Sequence, residues 1–523
     1  MARTRWIAGA AVAVLAAAPY IRTAGFEFVF DDQHLIVHNA FLREPWSPLT
    51  AFARHFWHGT PFGAAYYRPL VAASFALNGR LLGWGPAGFH LVNILLHAAN
   101  AVLLLALARR LGCSDRAALC GAALFAAHPV GAWPVASIAA RVDLLPTLFV
   151  LLAWCALCAA GGPRAGLSRA ASVGVFFLLA LLSKESAAAF LVVPVLALRR
   201  AKDLDGGTRI GWPVTVSVGA AVVIYLAARR GLGLELLIPR RLIDPLTNPL
   251  IRLPRSARIL AALELAGRYI LYLLAPIRFA DPKNYFEQAA RPSSLSVEVI
   301  LSLALLALWS GAIVALWIRR DRTALPLAFS LASFLPASNI LFPISSLYAQ
   351  NFLYMPLAGL CLTGALVLTR AGRRAVPTGG SKARPAEVTQ FLVAAVLVAV
   401  LATASAAEAG IWRDNLSLLT AWSARFRNYP PAQSALGVAL LDRGDPAAAV
   451  APFRRALALT DRSVEAHYNL AVALLLLDRP AEAEQEARAA LDLTPGFAPA
   501  LEIVRRALVR SGGQAPVAPR PPR

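Results

Sequence analysis

Sulfur and acid are both scarce in this chain of 523 residues. It carries five cysteines, two methionines, and 29 acidic residues against 51 lysines and arginines. The cysteines, Cys113, Cys120, Cys155, Cys158 and Cys361, lie in or beside apolar runs, so neither a disulfide framework nor a zinc site is expected. Cys155 and Cys158 have C-x-x-C spacing, but inside an apolar run that spacing reads as a packed helix face. No G-x-G-x-x-G turn opens a βαβ unit and no Walker A loop occurs, which removes a soluble nucleotide-binding domain. No metal and no resident cofactor is implied.

Apolar residues are abundant: 58% of the chain is hydrophobic and the mean hydropathy is +0.59, against about 45–50% apolar in soluble domains. Repeated apolar stretches near bilayer length predict an integral membrane protein. Helices are the expected spanning elements, since lipid cannot satisfy open backbone groups. The net charge of +22 gathers largely in short loops: Arg109-Arg110, Pro163 to Arg169, Trp317 to Arg322 and 370–384. The positive-inside rule explains such loops without nucleic acid, and anionic lipid headgroups become the natural partner. The N-terminus resembles a signal peptide, yet the reading here is an uncleaved first helix at roughly 6–22, with Arg3 and Arg5 cytoplasmic. With the high Ala, Arg and Pro content, this predicts a multi-pass protein of a bacterial inner membrane.

The expected architecture is all-α: about 11 or 12 crossings within 1–409, then a helical repeat domain over 410–510 on the periplasmic side. A basic, disordered tail follows at 511–523. Loop charges put the long first loop, 23–88, opposite the cytoplasm. Alternation fails between 183 and 297, so either 170–198 is one broken crossing or a segment near 230–277 does not cross. After residue 410 a 34-residue period appears. Ala435 to Leu440 aligns with Asn469 to Leu474, and Asp445-Pro446 with Arg479-Pro480. This is the tetratricopeptide pattern of paired helices, which need stacked neighbours to bury their faces.

Several polar residues stand out against this background. Asp31-Asp32 follows the first apolar segment in F-E-F-V-F-D-D-Q-H, the most pointed candidate for surface chemistry; the plain alternative is a hydrated loop. Arg68, in Y-Y-R-P-L, has the fixed donors suited to phosphate, and also fits a headgroup contact. His90, Asn93 and His97 share one helix face, facing a cavity or a partner helix. His128, Arg141 and Asp143 flank a short non-cytoplasmic loop, where Arg141 fits phosphate or an ion pair with Asp143. Lys184-Glu185 interrupts two apolar runs, either as a self-satisfied pair or with Lys184 free for a phosphate. Arg268 and Asp281 are weaker candidates of the same kind. Tyr269, Tyr272, Tyr348 and Tyr354 are expected as interfacial anchors.

The ordered stretches F-V-F-D-D (Phe28 to Asp32), Y-R-P-L (Tyr67 to Leu70), G-F-H-L-V-N-I-L-L-H (Gly88 to His97), F-A-A-H-P-V (Phe125 to Val130) and R-V-D-L-L (Arg141 to Leu145) resemble one family. So do S-K-E (Ser183 to Glu185), F-L-P-A-S-N (Phe334 to Asn339) and F-L-Y-M-P (Phe352 to Pro356). It is the transmembrane and tetratricopeptide-repeat, or TMTC-like, branch of the GT-C glycosyltransferases, similar to protein O-mannosyltransferases. The resemblance implies a GT-C membrane domain and a sugar, mannose among the candidates, taken from a polyprenyl-phosphate donor. It implies an acceptor hydroxyl on a protein, an envelope glycan or a lipid, and a catalytic acid at Asp31 or Asp32. Donor contacts fall on Arg68, His90, His128, Arg141 and Lys184. Two departures stand out: Trp133 occupies the Glu position of H-P-V-x-x-E, and Gln350-Asn351 replaces Glu-Arg in E-R-x-L-Y-x-P. A non-catalytic scaffold recruiting envelope proteins through its repeats, and a lipid-linked sugar transporter, are the competing expectations.

Overall fold

The computed structural model describes residues 2–60, 66–159, 165–198, 212–235, 239–276, 296–374 and 385–512. All regular structure within them is helical. Asp281, the loop residues 160–164 and 375–384, and the tail from 513 onward lie outside the described residues.

The chain divides into two units. The first comprises Met1–Ile243, Pro254–Phe279 and Ser294–Arg413. Its long elements are α1 (Ala2–Ala17), α2 (Pro69–Leu82), α3 (Pro86–Arg110), α4 (Asp115–Ala127), α5 (Arg141–Leu157), α6 (Ala165–Ser183) and α7 (Trp212–Gly231). They continue with α8 (Arg255–Leu274), α9 (Val297–Ile318), α10 (Ala324–Phe334), α11 (Tyr354–Arg374) and α12 (Pro385–Gly410). Large apolar side chains stay exposed on several of them, such as Leu308 at 71% and Val396 at 62%. Contiguous exposed apolar surface of this kind needs a covering, and helices of bilayer length point to lipid.

Among the described residues, seven helices are long and apolar enough to cross a membrane, or eight if the pair Asp115–Ala127 and Pro129–Ala136, bent by 48°, counts as one span. This is fewer than the 11 or 12 crossings expected. The difference has physical causes. Helix α10 has 11 residues, short of the roughly 20 that span hydrocarbon. Helix α8 carries Arg258, Glu264 and Arg268 within its 20 residues, and Glu264 and Arg268 pair at 3.0 Å. The run 170–198 breaks at Lys184, after which a 3-10 turn, Glu185–Leu191, and a short helix, Val192–Leu198, take over.

Helix α3 is the central post of this unit, packed against α1, α4 and α5. Its polar stripe faces helices, not solvent. His97 shares hydrogen bonds with the Tyr354 hydroxyl (2.7 Å) and the Ala126 carbonyl (3.2 Å), and Asn100 donates to the Leu144 carbonyl (3.1 Å). The tyrosines expected as interfacial anchors are interior tethers as well. Tyr269 accepts from the Ala349 amide at 2.7 Å and Tyr272 from Gln350 at 2.8 Å.

The first loop is also more ordered than its composition foretold. It contains helix α2, and its apolar residues Leu35, Ile36, Phe41, Leu42 and Phe56 form one core with Phe75 of α2, Phe89 of α3 and Ile138 before α5. A loop that builds its own core can hold a side chain in a fixed place.

The second unit comprises Asp244–Leu253, Ala280–Ser293 and Asp414–Arg523. Antiparallel helices α13 (Asn415–Arg425), α14 (Pro430–Asp442), α15 (Pro446–Leu459), α16 (Val464–Leu476), α17 (Pro480–Leu493) and α18 (Ala498–Arg510) stack in sequence. Their starts follow capping chemistry. The Asp445 carboxylate accepts the Ala448 amide at 2.9 Å and the Ser463 hydroxyl the Ala466 amide at 3.1 Å, satisfying donors that a helix start leaves open. Ala and Gly at the contact positions let Phe453 sit fully buried, and a Cβ on Gly437 would lie 2.6 Å from its ring. Gly437→Val is therefore expected to cost about 1–3 kcal/mol by overpacking, read as a lower melting midpoint of the full chain. An unchanged midpoint would mean that α14 and α15 are not packed this way.

Candidate active site

The acid pair sits in a tight turn just beyond α1. The Asp32 amide donates to the Val29 carbonyl at 3.0 Å, and the intervening Phe30 adopts φ +52°. That left-handed conformation is costly for a bulky residue, so the surroundings must enforce it. Asp32 does much of that. Its two carboxylate oxygens accept the Val29 amide (3.2 Å) and the Ala139 amide (2.7 Å), and the side chain is fully buried. Asp31 points elsewhere. It is half-buried and has no hydrogen-bond or ion-pair partner among the described residues. Burial raises the Asp31 carboxyl from its ordinary value to about 6. Burial raises Asp32 to about 7, against the opposing pull of its backbone donors. The two neighbours thus have separate jobs: one is spent on the backbone, and the other is unspent.

A charged cluster is built by Arg68, Glu185, Lys184 and Asp143. Arg68 caps the start of α2 and grips Glu185 with two bonds, Nε at 3.2 Å and Nη2 at 2.7 Å. Its guanidinium stacks over Tyr66 at 4.3 Å, and Tyr66 donates to Ser345 at 3.1 Å. Arg68, Glu185 and Asp31 all influence the Tyr66 hydroxyl electrostatically, so Tyr66 lies within electrostatic range of both the acid and the Arg68–Glu185 pair. Lys184 donates to Asp143 at 2.5 Å, and Asn351 donates to the other Asp143 oxygen at 2.8 Å. Lys184 and Glu185 therefore do not satisfy each other, as one expectation had it. Lys184 is extended (φ −162°, ψ 137°), and successive side chains of an extended chain point to opposite sides.

Arg68 and Lys184 each keep N–H groups with no acceptor among the described residues: Nη1 of Arg68 and the remaining protons of Lys184. The other expected donor contacts are placed differently. Arg141 does not pair with Asp143. Its five donors are spent on Asn93 Oδ1, the Ser74 carbonyl and hydroxyl, Asn78 Oδ1 and the Phe89 carbonyl. It pins α2 and α3 to the start of α5 and has nothing left for a phosphate. His128 accepts the Val130 amide at 3.2 Å and faces the Leu273 carbonyl, so both nitrogens serve the fold. His90 is fully buried against Phe26, and its nitrogens fall short of hydrogen-bond geometry with the Glu27 backbone.

Tyr66, Ser345 and Asn351 were not named as site components, although Tyr66 adjoins the flagged arginine; Asp143 was singled out, but with Arg141 and not Lys184 as its partner. Asn351 keeps a hydrogen bond to Asp143, while Gln350 donates to the Pro129 carbonyl at 2.7 Å. Trp133 packs on Trp412 with centroids 5.1 Å apart. No cluster of three or more metal-ligating side chains occurs among the described residues. One D-x-D spacing, Asp203 and Asp205, lies outside them.

Comparison with known proteins agrees with both units. The tetratricopeptide repeat family matches residues 434–496. Protein O-mannosyl-transferase Tmtc2 of Drosophila melanogaster is 38% identical over 188 residues, covering 33% of this chain and 20% of the fly protein. Protein O-mannosyl-transferase TMTC4 of Mus musculus is 27% identical over 512 residues, covering 83% and 64%. Protein O-mannosyl-transferase TMTC1 of Mus musculus is 41% identical over 156 residues, covering 28% and 16%. The chain spans less than two thirds of the length of these relatives. Further matches come from human and nematode proteins. Relatives drawn from animals overturn the expectation of a bacterial inner membrane with a periplasmic repeat domain.

Two outcomes follow from the acid pair and the cluster. A carboxyl whose folded-state pKa is raised favours folding fully below its unfolded value, near 4, and that contribution is lost as pH rises through 6. Asp31→Asn is therefore expected to melt higher than wild type at pH 7.5, by up to about 3 kcal/mol, with the difference closing near pH 4. At pH 5, Asp32→Ala should instead cost about 1–3 kcal/mol for each buried amide left open. Equal behaviour of the two variants would refute the division of labour. Lys184→Met leaves the Asp143 carboxylate buried with Asn351 alone and is expected to cost about 3–5 kcal/mol. Adding Asp143→Asn should recover most of it, and strict additivity in that double-mutant cycle would mean the pair carries no coupling.

Proposed function

Taking the chain as a TMTC-like, GT-C-related protein, the family to which its matches assign it, we propose that it transfers a sugar from a polyprenyl-phosphate donor to an acceptor hydroxyl. The transfer takes place at the membrane face opposite the basic loops. The relatives' names point to mannose as the sugar and a protein as the acceptor. The observation that carries the reading is the carboxylate of Asp31, without a hydrogen-bond partner among the described residues, with Tyr66 within electrostatic range of both it and Arg68, a cation that retains an open donor.

In this reading Asp31 accepts the proton of the acceptor hydroxyl. The acceptor oxygen forms its bond to the anomeric carbon, and the bond from that carbon to the phosphate oxygen breaks. The polyprenyl phosphate leaves with the electron pair. One base suffices for a single displacement with inversion. Arg68 Nη1 and the Lys184 ammonium meet the phosphate charge as it develops, the kind of fixed donors that lower such barriers. Glu185 and Asp143 hold those cations in place. Arg141 pins α2 and α3 to the start of α5, and Asp32 fixes the turn. The lipid-linked sugar is a substrate, and no metal is invoked. The repeats offer a surface for a protein partner.

The test is transfer by the full chain in lipid vesicles, with a polyprenyl-phosphate mannose donor and a Ser/Thr-rich protein acceptor. Asp31→Asn is expected to lower kcat by about 10²–10⁴-fold, the usual worth of a general base, with donor KM kept. Wild-type kcat/KM should fall as pH drops below about 6, where burial leaves Asp31 half-protonated. Wild-type turnover in Asp31→Asn would sink the assignment. Unchanged glycans in cells carrying that variant would favour a scaffold, and donor movement across vesicles without transfer would favour a transporter.

A further inference from the structure

A second feature lies at the other end of the central helix. A groove of about 640 Å³ runs between α1 and α3, lined by Arg5, Trp6, Ala10 and Ala13 on one side and by Leu105 and Arg109 on the other. Its volume falls within the ordinary range of ligand pockets, about 300–1,000 Å³. The small residues Gly9, Ala10, Ala13 and Ala106 hollow it out, and Trp6 stands 81% exposed at its rim. Arg5 and Arg109 close one end. Arg5 has no partner among the described residues, and Arg109 spends only Nε, on Asp115 at 2.7 Å.

We propose that this groove binds an anionic glycerophospholipid, with an acyl chain along the apolar walls and the phosphate between Arg5 and Arg109. Both arginines belong to the basic ends of helices that are long and apolar enough to cross a membrane, where leaflet headgroups lie. An apolar trough ending in two cations is complementary to a single amphiphilic anion. The site is distinct from the acid cluster. Asn93, which orients Arg141, and Arg109 are about 24 Å apart along α3 at 1.5 Å per residue. A lipid phosphate held here is thus in the opposite leaflet from one held near Asp31, and the inference stands whether or not the chain transfers sugar.

Native mass spectrometry of the full chain in detergent, with dioleoyl phosphatidylserine or dioleoyl phosphatidylcholine added, tests this. Phosphatidylserine is expected to be retained preferentially. Arg5→Gln with Arg109→Gln should lower its retention roughly tenfold or more, since each basic contact near a headgroup adds to affinity. Arg5→Gln alone should show a partial loss while keeping the Asp115 pair. Ala10→Trp, which fills the trough but keeps both cations, should also displace the lipid. Melting midpoints close to wild type establish that the variants are folded. Equal retention of the two lipids, indifference to Arg5→Gln, or full displacement by sn-glycerol 3-phosphate without any effect of Ala10→Trp would overturn the proposal.

Discussion

The hydrogen bond from the Ala139 amide to Asp32 joins two parts of the chain more than a hundred residues apart. On one side is the turn that follows the first helix; on the other is the short loop that leads into α5. Two residues beyond Ala139, Arg141 spends its whole guanidinium on α2 and α3. The same short stretch therefore fixes the acid turn and the helices around it. Because the donors and acceptors are buried, each would be expensive to leave open. That cost keeps Phe30 in its strained conformation and keeps Asp31 facing away from its neighbour.

Much of this organisation was legible in the residues themselves. The 34-residue period and its proline-marked turns revealed the helical repeats, because each unit must repeat its apolar contacts to stack. The F-V-F-D-D stretch and Arg68 stood out as charges at the rim of apolar segments. The number of long apolar helices was less legible than their presence. A helix such as α8 mixes apolar residues with charges, of which Glu264 and Arg268 pair within the helix itself. Pairing was not legible either. Lys184 and Glu185 are adjacent in sequence and serve different partners in space, and Arg141 and Asp143, though on one element, never meet. Which acid of the pair is free followed only from the backbone amides that capture Asp32.

The neutral residues at 133, 350 and 351 connect their surroundings without adding charge. Asn351 donates to Asp143 alongside Lys184. Gln350 bridges the Pro129 carbonyl and the Tyr272 hydroxyl, while Trp133 packs on Trp412. Neutral polar groups at buried positions leave fewer ions to desolvate.

The break at Lys184 has a mechanical side. Neighbouring α-carbons are held 3.8 Å apart by a planar, nearly inextensible peptide unit. Lys184 is tied to α5 through Asp143, and Glu185 is tied to the cap of α2 through Arg68. The single peptide between them is a rigid crossbar joining two otherwise separate levers. A pull on one cation cannot relax locally; it is handed across that bar to the other.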